Sequence, residues 1–115
     1  MAGQRMRRVD EAVREVLSDA LGHRDLKDPR IGFVTITAVK TSADLRHARV
    51  YVSVLGSDDE REQTLAGLRS AHGVLQRRVA GELRLRRTPT LEFTYDDTTD
   101  RAMRIERLLG DEGAS

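Results

Sequence analysis

The chain has 115 residues, no cysteine, and 20 Lys and Arg against 19 Asp and Glu, a net charge of +1. That length suits one domain able to bury a single core, and the lack of cysteine excludes disulfides and thiolate metal sites, which fits a reducing compartment. No apolar run reaches the roughly 18 to 20 residues of a membrane span, and MAGQRMRR lacks the apolar stretch of a secretory signal, so a soluble, cytoplasmic protein is expected.

Met6, Val9, Val13, Val16, Leu17, Ala20 and Leu21 recur at steps of three and four, one face of an amphipathic helix. Gly22 and the polar stretch from His23 to Asp25 end it, and Asp28-Pro29 prevents its continuation, because proline disfavours helical geometry in the residue before it. From Gly32 the period becomes two: Val34, Ile36 and Ala38 are expected on one face of a strand and Thr35 and Thr37 on the other. Thr41 to Leu45 reads as a turn. A second strand follows, with Ala48, Val50, Val52 and Val54 inward, and a hairpin joins the two.

Ser57 and Glu60 have the spacing of a capping box and open a second helix, whose buried stripe is Leu65, Leu68 and Ala71. At Ala71-His72-Gly73 that helix meets a third, in which Leu75, Val79 and Leu83 continue the apolar stripe. Thr88-Pro89 ends the basic stretch that follows, and Leu91, Phe93 and Tyr95 alternate with Glu92 and Thr94 as a third strand. A last short helix carries Met103, Ile105, Leu108 and Leu109, and Gly110 to Ser115 reads as a tail. The order predicts an α+β domain over residues 1–115, with its ordered core at about 5–110 and one layer of helices on a small sheet.

The charge is nearly balanced but segregated. Between Arg69 and Arg87 stand six arginines (Arg69, Arg77, Arg78, Arg84, Arg86, Arg87) and one acid, Glu82, a local charge of +5. Arg5, Arg7 and Arg8 precede the first acid. Lys27 and Lys40 are the only lysines, and arginine's planar fork suits phosphate better than a point charge does. A glycine at a joint between helices can take backbone angles other residues avoid, or let another molecule's backbone come near. A helix starting there turns free N–H groups and a positive dipole end outward, an arrangement that favours an anion. The plainer alternatives are a helix-ending glycine and a solvated arginine face.

The joint residues Ala71, His72 and Gly73, with Arg69, Arg77, Arg78, Arg84, Arg86 and Arg87, are thus the candidate nucleic-acid contacts, and Arg5, Arg7 and Arg8 a secondary one. Arg46, Arg49 and Lys40 sit by the hairpin with no role assigned to them. Phe33, Tyr51, Phe93 and Tyr95 are the only aromatic residues, too few for a reader that stacks bases, so backbone and shape recognition is expected. His23, His47 and His72 are too far apart for metal-ligand spacing. There is no nucleophile elbow, P-loop or dinucleotide fingerprint, and neither an enzyme nor a cofactor is expected.

The order of elements around a helix-glycine-helix joint resembles the type II KH domain. Within that group the chain resembles the ribosome-binding factor A family, over about residues 5–110. The segments that carry the resemblance are RVDEAVREVLSDAL, LKDPRIGFVTITAVKTSADLRHARVYVSVLG, the SAHG joint with its arginines, TPTLEFTYDDT and RIERLL. Most KH domains have a GxxG loop where this chain has Ala71-His72-Gly73, a departure this family shares. The literal GxxG at 110–113 is a chance match in an acidic tail. The resemblance implies a monomeric cytoplasmic factor that binds the free small ribosomal subunit and its precursor rRNA and assists late rRNA processing and folding, especially in the cold. It also implies release by a GTPase acting on the subunit. A KH-like binder of other transcripts and a domain whose basic face meets an acidic protein are the rival readings.

Overall fold

The structure, a computed structural model, describes the backbone of residues 2–22 and 28–113 and the side chains of 6–22, 28–98 and 101–110. Four helices and three strands follow in the order α1 (Ala2–Gly22), β1 (Val34–Thr41), β2 (His47–Val54), α2 (Asp58–Ser70), α3 (His72–Leu83), β3 (Thr90–Tyr95) and α4 (Thr98–Gly113). The sheet order is β1-β2-β3, β1 and β2 antiparallel and β2 and β3 parallel. The parallel pairing needs a long crossover, and α2 and α3 supply it. None of the described helices is long and apolar enough to cross a membrane.

One sheet face is covered by α1, α2 and α3. Val13, Leu17, Ala48, Val50, Val52, Leu68, Leu75 and Val79 are wholly buried there, with Leu91 and Phe93 nearly so. The 3.6-residue period of α1 delivers Val13, Val16, Leu17 and Ala20 to that core, and the two-residue period of β2 delivers Ala48, Val50, Val52 and Val54. Ser57 caps α2 as its spacing predicts: its hydroxyl accepts from the Glu60 amide at 3.2 Å, and the Glu60 carboxylate accepts from the Ser57 amide at 3.2 Å.

β1 departs from the simple alternation. A bulge between Ile36 and Ala38 inserts Thr37 into the strand, so the inward residues are Ile36, Val39 and Thr41, and Ala38 turns to the open face. The Thr37 hydroxyl donates to Asp96 at 2.6 Å, and Asp96 in turn accepts from the Thr98 amide at the start of α4. The bulge therefore re-aims one hydroxyl to hold the root of the last helix.

Two contacts tie the segment before β1 to α2. Buried Thr64 donates to the Arg30 carbonyl at 3.2 Å and accepts from the Gly32 amide at 3.4 Å. One turn on, Gly67 is buried against Ile31, where a Cβ would come within 2.7 Å of Ile31 Cγ1.

α4 stands off the body. It continues to Gly113, past the point where a tail is expected, and residues 101–110 are all exposed, including Met103, Ile105, Leu108 and Leu109. The radius of gyration, 16.4 Å, exceeds the roughly 13 Å of a compact chain this long for that reason. Arg7 and Arg8 lie inside α1 and are not part of an extended arm, while the side chain of Arg5, residues 23–27 including His23, and residues 114–115 fall outside the described residues.

Candidate nucleic-acid interface

Ala71 alone separates α2 from α3. Its amide donates to the Gly67 carbonyl at 2.9 Å and its carbonyl accepts from the Leu75 amide at 3.1 Å, so both helices keep a hydrogen bond to it. With φ −83° and ψ 4° it occupies the bridge region, and this one residue makes the kink. No side chain caps the first turn of α3. The carbonyl end of α2 meets the amide end of α3 at the same point, so the two dipole ends partly cancel. The outward positive end expected from a free helix start is weakened, and the arginine side chains must supply most of the attraction for an anion.

Gly73 is exposed in the first turn of α3 and has no positive φ; among the described glycines only Gly56 does. The special backbone freedom expected at the joint is therefore not used. What its missing side chain provides is proximity: a Cβ there would meet only the Arg77 guanidinium, Nη1 lying 3.6 Å away. Arg77 folds back over the bare turn, four residues along the same helix face. It is exposed and has no carboxylate partner among the described residues.

Arg78 differs from its neighbour. It faces α1: its guanidinium meets Asp19 of α1 at 3.7 Å and Glu82 of its own helix at 2.8 Å, and two-thirds of its side chain is covered. Both carboxylates offset its charge. Arg78 therefore joins α3 to α1 and is not held out as a free cation beside Arg77. The sequence shows Glu82 as its neighbour, but Asp19 is 59 positions away and is brought in by the packing of α1 on α3.

Arg69 and His72 line a cleft together with Leu65 of α2 and Leu91 to Tyr95 of the outer strand β3. Arg69 is exposed and His72 half-buried. Of the two phenyl rings in the cleft, Phe93 is 4 % exposed and Tyr95 carries the Arg61 guanidinium 3.9 Å from its ring centroid. Phe33, 72 % exposed, is at the other end of the fold element that pairs β1 with β2, beside Leu55. The scarcity of rings read from the sequence thus becomes, at this cleft, a surface suited to sugar-phosphate more than to bases.

Arg84, Arg86 and Arg87 follow α3. Arg84 ends the helix in the left-handed region (φ 48°), its amide bonded to the Ala80 carbonyl at 3.3 Å. All three side chains are exposed and lack a carboxylate partner among the described residues, and the same is true of Arg7 and Arg8. The segment is fixed at its far end by Gln76, whose carboxamide donates to the Pro89 carbonyl at 2.5 Å and accepts from the Leu91 amide at 3.0 Å. This clamp had no signal in the sequence, since a glutamine on a helix is ordinarily solvated. The structure thus gathers Arg69, His72, Gly73 and Arg77 at the joint, places Arg84, Arg86 and Arg87 on an anchored loop, and turns Arg78 toward α1.

Comparison with known proteins agrees with this architecture. Residues 5–109 match the family model for ribosome-binding factor A. The chain is 48 % identical over 111 residues to a ribosome-binding factor A of Geobacter metallireducens, spanning 96 % of this chain and 93 % of the relative. It is 56 % identical over 103 residues to that of Anaeromyxobacter dehalogenans, spanning 89 % and 74 %. The crystal structure of ribosome-binding factor A from Thermus thermophilus is similar with a TM-score of 0.68 at 28 % identity, covering 78 % of this chain and 94 % of that one. A second solved structure, the Thermus thermophilus factor fitted as a homology model into the electron-microscopy map of its complex with the 30S subunit, is similar with a TM-score of 0.57 at 32 % identity, covering 74 % and 92 %. Fold, joint and comparisons converge: the chain belongs to the ribosome-binding factor A family.

Proposed function

We propose that this chain is a non-enzymatic assembly factor that binds the free small ribosomal subunit and its precursor rRNA through the kinked pair α2–α3. The observation that carries the reading is the Arg77 guanidinium, without a carboxylate partner among the described residues, folded over exposed Gly73. A phosphate resting on that bare turn meets a charged fork and the uncapped amides of α3 together. Arg69 and His72 on one side, and the anchored loop of Arg84, Arg86 and Arg87 on the other, extend the contact along a sugar-phosphate chain. The relative from Thermus thermophilus fitted in a complex with the 30S subunit supports the choice of partner.

The mechanism is electrostatic. Each arginine that neutralises a phosphate releases condensed counterions, so binding is strong at low salt and readily reversed. A factor bound more tightly to one arrangement of immature rRNA than to another shifts the population toward the first. Assistance to late rRNA processing and folding, with its greatest value in the cold where misfolded RNA escapes slowly, follows from that shift. A cytoplasmic monomer, displaced from the finished subunit by a GTPase, completes the reading.

Gradient sedimentation of a cell lysate tests it. The protein is expected in the free small-subunit fractions and absent from mature ribosomes. Sedimentation with other RNA, or at the top of the gradient, would refute the assignment.

A further inference from the structure

The hairpin between β1 and β2 has no assigned role, yet the tertiary structure sets it against the arginine-rich loop. The Thr90 amide donates to the Arg46 carbonyl at 2.8 Å, and His47 pairs with Thr90 as β3 begins. The neighbouring residues Pro89 and Leu91 are those gripped by Gln76 of α3. Residues 89–91 therefore join three segments: the elbow helix, the loop of Arg84, Arg86 and Arg87, and the hairpin end bearing Arg46. In the sequence Arg46 is forty positions from Arg86.

The carboxylates of this end are already engaged. Asp10 accepts from both the amide and the hydroxyl of Thr41, at 2.9 and 2.5 Å. Asp44 shapes the turn, accepting from the Ser42 hydroxyl at 2.6 Å and the Arg46 amide at 3.0 Å. Its approach to the Arg46 guanidinium is loose, at 3.8 Å, with the arginine side chain 64 % exposed. Glu92 lies on the open sheet face with Arg49. Such an exposed ion pair contributes little and yields readily to a stronger anion.

We infer that the hairpin end is a further RNA contact, in which Arg46 continues the phosphate-binding band from the elbow across the start of β3. The inference rests on the RNA-binding reading of the elbow and adds a residue to it. RNA is the partner that fits, because the band sets exposed planar arginine forks at backbone-anchored positions, the pattern of phosphate recognition.

The test uses the full chain, purified small subunits, and a salt titration of affinity for Arg46→Ala, with Arg77→Ala alongside. Arg14→Ala, whose guanidinium is paired with Glu11 on α1, is the control. Losing one phosphate contact should lower the salt slope by about 0.7 to 0.9, equivalent to roughly five- to eightfold weaker binding at 0.1 M salt. Both hydrogen bonds at Arg46 use its backbone, so the melting temperature should not move. Unchanged affinity and slope in Arg46→Ala overturns the inference, and if Arg77→Ala still weakens binding the elbow reading survives that result. Weakened binding in Arg46→Ala with Arg77→Ala unaffected supports the hairpin and overturns the elbow. If Arg46→Ala weakens binding to subunits but leaves binding to naked precursor rRNA unchanged, the hairpin contacts a subunit protein and the RNA inference falls.

Discussion

Adjacent arginines that face different ways offer a sharp separation of binding from stability. Arg77 is exposed over Gly73 without a carboxylate partner among the described residues, whereas Arg78 is held by Glu82 at 2.8 Å and Asp19 at 3.7 Å. Arg77→Ala removes one cation from the proposed phosphate surface and nothing from the fold. Its affinity for small subunits should fall about five- to eightfold at 0.1 M salt, with the salt slope reduced by about 0.7 to 0.9. Its stability should stay within about 0.5 kcal/mol of the parent. Arg78→Ala breaks a two-carboxylate network that is one-third exposed. Exposed pairs contribute about 0.2 to 1 kcal/mol, so after solvent screening the loss should be about 1 kcal/mol. For 115 residues that corresponds to a melting temperature lower by about 4 °C. Its salt slope should change by less than half that of Arg77→Ala. Thermal melts and salt-titrated sedimentation measure both quantities. The reverse pattern, with Arg78→Ala losing the slope and Arg77→Ala losing stability, would refute the orientation of the two side chains and the reading built on it.

Three further outcomes are expected. Gly73→Val places a branched side chain on the exposed turn beneath Arg77 at no cost in backbone angle, so subunit binding should weaken while the melting temperature shifts by no more than about 2 °C; a collapse in melting temperature would make the glycine structural. Gly67→Ala should lower stability by about 1 to 3 kcal/mol despite alanine's better helix propensity, because its Cβ would press on Ile31 Cγ1 from 2.7 Å, and a melt at or above the parent's would contradict that packing. Asp28 is held down to about 2 by the Arg30 guanidinium and then by the Arg30 amide. A depressed carboxylate contributes stability above its ordinary pKa and loses it as pH falls through the folded value, so this contact should weaken between about pH 4 and pH 2. Carboxyl NMR across that window reads it directly, and a midpoint near the ordinary aspartate value would count against the Asp28–Arg30 bonds.

Local chemistry wrote much of this protein. The period of β2, the apolar stripe of α1, the Ser57–Glu60 cap and the cationic run from Arg69 to Arg87 are properties of neighbouring residues, and each acts over a few positions. They determined element order, fold class and where positive charge collects. Tertiary structure decided what depends on residues meeting across the chain. The bulge at Thr37 exchanges Ala38 for Val39 in the core and sends the Thr37 hydroxyl to Asp96, 59 positions on. Gly67 is required by Ile31, Arg78 is claimed by Asp19, and Arg46 is carried to the arginine loop through Thr90. Side-chain periodicity records which face of an element is apolar, but not which other element will lie against it. The partner of each polar group, and so which arginines remain available to an anion, is fixed only when the helices close over the sheet.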